Sequence, residues 1–178
     1  ATLIEHTLDG TPGGAWVRTT LVEASSTGPG PDVSTMSDGV GRITLLLPHG
    51  NALTMVQPEG AVAYEMDLLT TGSFGTHHGT AVIGSAQHVV LASDGDGKLW
   101  HSYDSGSGWS TSMIRSGVDL SADPAVAALS NGTLVATYVP SGSAEVEAAW
   151  FSGSSWSLST LDLGGDVSSP LAIAAAGD

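Results

Sequence analysis

The chain has 178 residues, with eighteen acidic side chains against four basic ones and a formal charge of −14. A surface so poor in Lys and Arg excludes a nucleic-acid backbone as partner and argues against an anionic membrane surface, since both require clustered positive charge. Hydrophobic residues make up 41% of the chain, enough for a folded core, and the absence of cysteine removes disulfides, thiolate catalysis and thiolate zinc sites together.

The length suits one domain, and no apolar run approaches the roughly 18–20 residues that a membrane helix needs, so no membrane insertion is expected. The chain opens at Ala1 without an initiator Met and without the basic and apolar stretches of a leader. Abundant Gly, Ser and Thr beside a single lysine, Lys98, is a composition common in extracellular bacterial proteins. A secreted or cell-surface location is the expectation.

Self-similarity organises the chain. Gly13-Gly14-Ala15-Trp16, Gly106-Ser107-Gly108-Trp109 and Gly153-Ser154-Ser155-Trp156 share a glycine-then-tryptophan pattern, and 47 residues separate Trp109 from Trp156. The same step back from Trp109 reaches Val62, where the pattern persists without the aromatic ring, and Trp16 lies 46 residues before that. A second marker, Pro31, His78, Pro124 and Pro170, runs in phase at steps of 47, 46 and 46. Two independent markers with one period identify a repeat architecture.

Taken in chain order, residues 1–24 read as the last two strands of a unit, ending in the strand that begins near Trp16. Residues 25–71 form a complete unit, with strands expected over Asp32–Met36, Arg42–Leu47 and Ala52–Val56 and a fourth near Val62. Residues 72–117 repeat this with Thr80–Gly84, His88–Ala92, Lys98–Tyr103 and Trp109–Ile114, and residues 118–164 with Ala125–Leu129, Thr133–Tyr138, Glu145–Phe151 and a fourth from Trp156. Residues 165–178 carry one further first strand, Leu171–Ala175. Turns such as Ser37-Asp38-Gly39, Asp94-Gly95-Asp96-Gly97 and Ser130-Asn131-Gly132 separate the strands. No stretch sustains a 3.6-residue apolar period with caps, so the fold class is all-β.

Four antiparallel strands per repeat of about 40–50 residues describe a β-propeller blade. The small residues of each first strand suit the crowded position next to a propeller axis, and a β-sandwich with coincidental spacing is the alternative. The terminal pieces together fall one strand short of a blade, leaving three complete blades and split parts of another. A second copy or a complementary fragment is therefore expected to pair with Leu171–Ala175 and complete the ring. The alternative is a closed four-bladed monomer with one blade of three strands.

The run Asp94-Gly95-Asp96-Gly97-Lys98-Leu99-Trp100-His101-Ser102-Tyr103, followed by Gly108-Trp109-Ser110, resembles blades of the tectonin-like and Photorhabdus-type propeller lectins. Ser121-Ala122-Asp123-Pro124-Ala125-Val126-Ala127 with Asn131-Gly132-Thr133-Leu134 is similar to them too. The likeness covers residues 79–163 well and 1–70 poorly, where Val62 replaces Trp and Met55 stands near the Trp100 slot. It implies a multibladed propeller with sugar sites between blades, but blade motifs speak for fold before activity.

Candidate site residues follow. Trp100 and Trp150, near third strands, and Tyr103 with its hydroxyl could form flat platforms for sugar rings, because the C–H faces of sugars stack on aromatic faces. Trp109 and Trp156 are candidates of the same kind, although recurrence at one blade position, shared with Trp16, suits core packing better. His49, His77 and His78 fall at strand ends that a propeller brings to one face and could hold a transition-metal ion; exposed loop histidines are the alternative. His6, His88 and His101 fall on other strands or the opposite face. Asp94 and Asp96 look like part of a calcium loop, but the third ligand before the glycine and the closing Glu are absent, so a hairpin turn is favoured. Asn131-Gly132-Thr133 has the form of a glycosylation sequon and equally of a hairpin turn.

An enzyme is not expected. The turns faintly resemble sialidase Asp-boxes, yet of the three arginines Arg18 and Arg115 lie in outermost strands and only Arg42 is placed toward an axis, so no carboxylate clamp converges. No nucleophile triad or catalytic carboxylate pair stands out. The expectation is a non-enzymatic glycan-binding module without a cofactor, acting through weak multivalent sites; a structural subunit of a larger surface protein is the alternative.

Overall fold

The computed structural model describes residues 3–8, 16–22, 34–37, 43–49, 52–59, 62–69, 73–94, 97–104, 108–120, 122–161 and 171–175. Among them are fourteen strands and no helix. The first pair, β1 (Leu3–Leu8) and β2 (Trp16–Val22), is antiparallel. Three four-stranded antiparallel sheets follow, each with its strands in chain order. The first contains β3 (Ser34–Ser37), β4 (Ile43–His49), β5 (Ala52–Glu59) and β6 (Val62–Leu69). The second contains β7 (Ser73–Ile83), β8 (Ala86–Asp94), β9 (Lys98–Asp104) and β10 (Trp109–Ser116). The third contains β11 (Ala125–Ala128), β12 (Leu134–Tyr138), β13 (Val146–Phe151) and β14 (Trp156–Leu161).

Each expected complete unit thus holds one four-stranded sheet, and β2, β6, β10 and β14 open on Trp16, Val62, Trp109 and Trp156, the positions marked by the repeat. The turns have the chemistry their residues dictate. Between β11 and β12, Gly132 takes φ +81° and donates its N–H to the Leu129 carbonyl at 2.9 Å. The Asn131 side-chain oxygen accepts the Thr133 N–H at 3.0 Å, an Asx turn that closes the hairpin.

Two expectations about element limits need correction. His77 and His78 do not open a first strand: β7 starts at Ser73, and its register against β8 slips between Phe74 and His78, so a bulge absorbs the extra length. Residues 171–175, expected as a first strand, belong to no strand among the described residues.

First strands of successive sheets are neighbours, with β7 lying between β3 and β11. The approach is close at Gly79, where an added Cβ would sit 2.2 Å from the Pro124 carbonyl oxygen and 2.7 Å from Val126 Cγ2. A small residue is obligatory there. Strand alternation then assigns the faces. Met36, Thr44 and Leu46 form the buried face of the first sheet, and Thr44 Oγ1 donates to Gln87 Oε1 of the second at 3.0 Å. The opposite face of the second sheet, with Val90 and Leu99, packs against Leu134, Ala136, Tyr138, Ala149 and Phe151 of the third. All five residues of β12 are buried, so the chain shields the third sheet on both faces around that strand.

Candidate functional site

The register separates the tryptophans that sequence spacing left equivalent. Trp156 packs inward, its ring 5.2 Å from Phe151 and edge-on to His101 at 5.0 Å. Trp100 and Trp109 are half-buried, and the indole N–H groups of Trp100, Trp109 and Trp156 are shielded from solvent with no partner among the described residues. Trp156 is thus a packing residue, and the indole N–H groups of Trp100 and Trp109 do not face solvent. Tyr103 is half-buried and stacks on His88 and His101 at ring distances of 5.7 and 5.2 Å. The side chain of Trp16 lies outside the described residues.

Trp150 differs. It is 39% exposed on the face of the third sheet that points away from the second. Its indole N–H donates to Ser159 Oγ on the neighbouring strand at 3.3 Å, which orients the ring without covering it. Exposed Ser157 stands directly across the register from it. A fixed, accessible indole beside two hydroxyls offers a flat apolar surface with polar groups at its rim, the combination that binds a sugar ring. Of the five candidate platform residues, Trp150 alone has this form.

The other face of the third sheet carries Glu147, which forms an ion pair with Arg115 of β10. With Leu158, Ser159 and Thr160 they line an open groove of about 340 Å³ between the outer strands of the second and third sheets. Arg115 lies in an outermost strand, as expected, and is committed to this pair. Residues 147 and 150 point to opposite faces of β13, so the groove and the Trp150 platform lie on opposite sides of that strand, with Ser159 common to both.

The structure describes the side chains of two of the three candidate metal ligands, His77 and His78. His77 Nδ1 lies 3.1 Å from Asp123 Oδ1, an exposed inter-sheet contact in which the carboxylate also accepts the His78 backbone N–H at 3.3 Å. His78 itself is buried. His49 closes β4, but its side chain lies outside the described residues. Among those residues no group of three or more His, Cys, Asp or Glu could hold a metal ion. Asp96 lies outside the described residues, as does the side chain of Asp94; Gly97 N–H donates to Asp119 Oδ1 at 3.1 Å.

No protein-family model and no curated protein matches the chain.

One pair was missed by sequence reasoning. His88 of β8 and His101 of β9 lie on the same buried face, their rings stacked 5.2 Å apart, with His88 Nδ1 and His101 Nε2 separated by 3.0 Å. His101 has no solvent exposure and His88 is buried. Burial pushes the pKa of His88 below the usual imidazole value, and burial together with the neighbouring His88 pushes that of His101 down to about 3. The signal was present in the pairing of β8 with β9: its register sets Val90 against His101 and His88 against Tyr103, which brings both imidazoles to one face.

Proposed function

We propose that the chain is a non-enzymatic carbohydrate-binding module of the β-propeller type, secreted or displayed at a cell surface, with Trp150 as the stacking platform. The observation that carries the reading is the exposed Trp150 ring, held in place by Ser159 and flanked by Ser157. The propeller part draws support from three sequential four-stranded meanders whose first strands are neighbours, and from the close approach at Gly79. A formal charge of −14 favours neutral or basic glycans over sialylated or sulfated ones, which the surface repels. A single open platform gives roughly millimolar affinity, with avidity supplied by repetition of sites in an assembly. A glycan array probed with the purified protein tests this: binding to neutral glycans that is lost in Trp150→Ala supports it, and no binding to any glycan refutes it.

A second reading is favoured by the repeat itself. Trp150 lies 47 residues after Tyr103, and Tyr103 faces Phe151 of the following sheet at a ring distance of 6.3 Å. By that equivalence Trp150 occupies the place where a further sheet would pack, so a second copy or complementary fragment covering it would make the chain an assembly subunit. Light scattering separates the two. An assembled mass that falls to near 17.9 kDa in Trp150→Ala supports cover of Trp150 by another chain, and a mass that Trp150→Ala leaves unchanged supports an open Trp150 available to a glycan.

A further inference from the structure

The His88–His101 pair lies where the second sheet meets the third. His101 touches Phe151 at 4.8 Å and Trp156 at 5.0 Å, both edge-on, so its ring is a principal contact between the two sheets. Tyr103 stacks on both imidazoles and approaches Phe151 from the same face. The facing nitrogens, 3.0 Å apart, form an N–H···N bond only if one carries the proton and the other a lone pair. Protonating both opposes two donors and breaks the bond.

The remaining ring nitrogen of His101, Nδ1, is buried and has no partner among the described residues. When His101 Nε2–H is the donor to His88, a proton added at Nδ1 makes a buried cationic donor with nothing to accept it. The charged and titratable groups on the facing surfaces offer no relief. Glu147 of β13 is engaged with Arg115 of β10, Tyr103 of β9 packs through its ring, and Tyr138 of β12 is a phenol whose pKa is raised by burial against the opposing effect of Arg115. Phe151 and Trp156 contribute no carboxylate.

We propose that the His88–His101 pair is an acid-sensitive latch between the second and third sheets, closed while both imidazoles are neutral and released when they are protonated. The direction follows from linkage. Imidazoles of the unfolded or opened chain take up protons as pH falls below about 6.5, whereas the closed state resists uptake, so stability is full above that pH and is lost as pH drops toward the folded-state value. Each histidine held neutral raises the opening equilibrium constant by about 30-fold between pH 7.5 and pH 5. For His101 the loss continues down to a pH of about 3.

The test is urea unfolding at pH 7.5 and pH 5 of the wild-type chain and of His88→Leu/His101→Phe, which keeps an apolar ring against Phe151 and Trp156. The proposal expects the wild type to lose at least 30-fold more in its folding equilibrium constant than the double variant over this interval. Equal pH dependence in the two proteins overturns it. If the variant does not fold, NMR of the histidine ring nitrogens in the wild type gives the answer. Two histidines that stay neutral through pH 5 support the latch, and six that all titrate near pH 6.5 overturn it.

Discussion

Replacing Gly79 with alanine puts a methyl group where β7 and β11 nearly touch. The new Cβ would lie 2.2 Å from the Pro124 carbonyl oxygen and 2.7 Å from Val126 Cγ2, against ordinary contacts of 3.4 Å or more. Rotation of Val126 relieves the second clash, but the first is with backbone and requires the two first strands to part by about 1 Å. Gly79 does not have a positive φ, so alanine brings no backbone strain, and the steric conflict is offset only by the gain of about 0.4–1 kcal/mol that Gly→Ala makes by restricting the unfolded chain. Overpacking of this kind costs about 1–3 kcal/mol, and a backbone collision belongs at the upper end. With a urea slope of about 2 kcal/mol/M, Gly79→Ala lowers the unfolding midpoint by about 1–1.5 M. A variant within about 0.5 kcal/mol of wild type would refute the close approach of β7 to β11.

Two further substitutions probe the layers between sheets. Leu134→Ala removes a fully buried side chain from the core between the second and third sheets and is expected to cost about 2–5 kcal/mol in thermal or urea unfolding. Thr44→Val leaves Gln87 Oε1 buried without the Thr44 donor and is expected to cost about 1–3 kcal/mol, most of it recovered in Thr44→Val/Gln87→Leu, where both polar groups are gone.

The layout of strands was legible because two markers recur with one period, and the first of them falls each time on the opening residue of the last strand of a sheet. Even Val62, which lacks the ring, begins β6 as Trp109 begins β10. Exposure was not legible from residue type. Trp100 and Trp150 both sit on third strands, yet the indole N–H of one is buried while the other ring is open, and that depends on the neighbouring sheet rather than on local sequence. The histidines illustrate the same limit. His77 meets Asp123, 46 positions later, a pairing created by the approach of β7 to the start of the third sheet. His88 and His101 required only hairpin register to be brought together, but their burial comes from Phe151 and Trp156, about 50 residues further on. The length of β7 escaped because its bulge breaks the alternation that marks a strand.

The most direct test of the proposed sugar platform is the indole N–H region of a two-dimensional proton–nitrogen NMR spectrum, in which the chain's five tryptophans give one signal each. Trp150→Phe identifies the signal of Trp150. Titration with a neutral oligosaccharide selected from the array is predicted to shift that signal progressively into the millimolar range, while the shielded indoles of Trp100, Trp109 and Trp156 stay in place. A spectrum in which no indole signal moves, or in which a shielded one moves and Trp150 does not, would contradict the account.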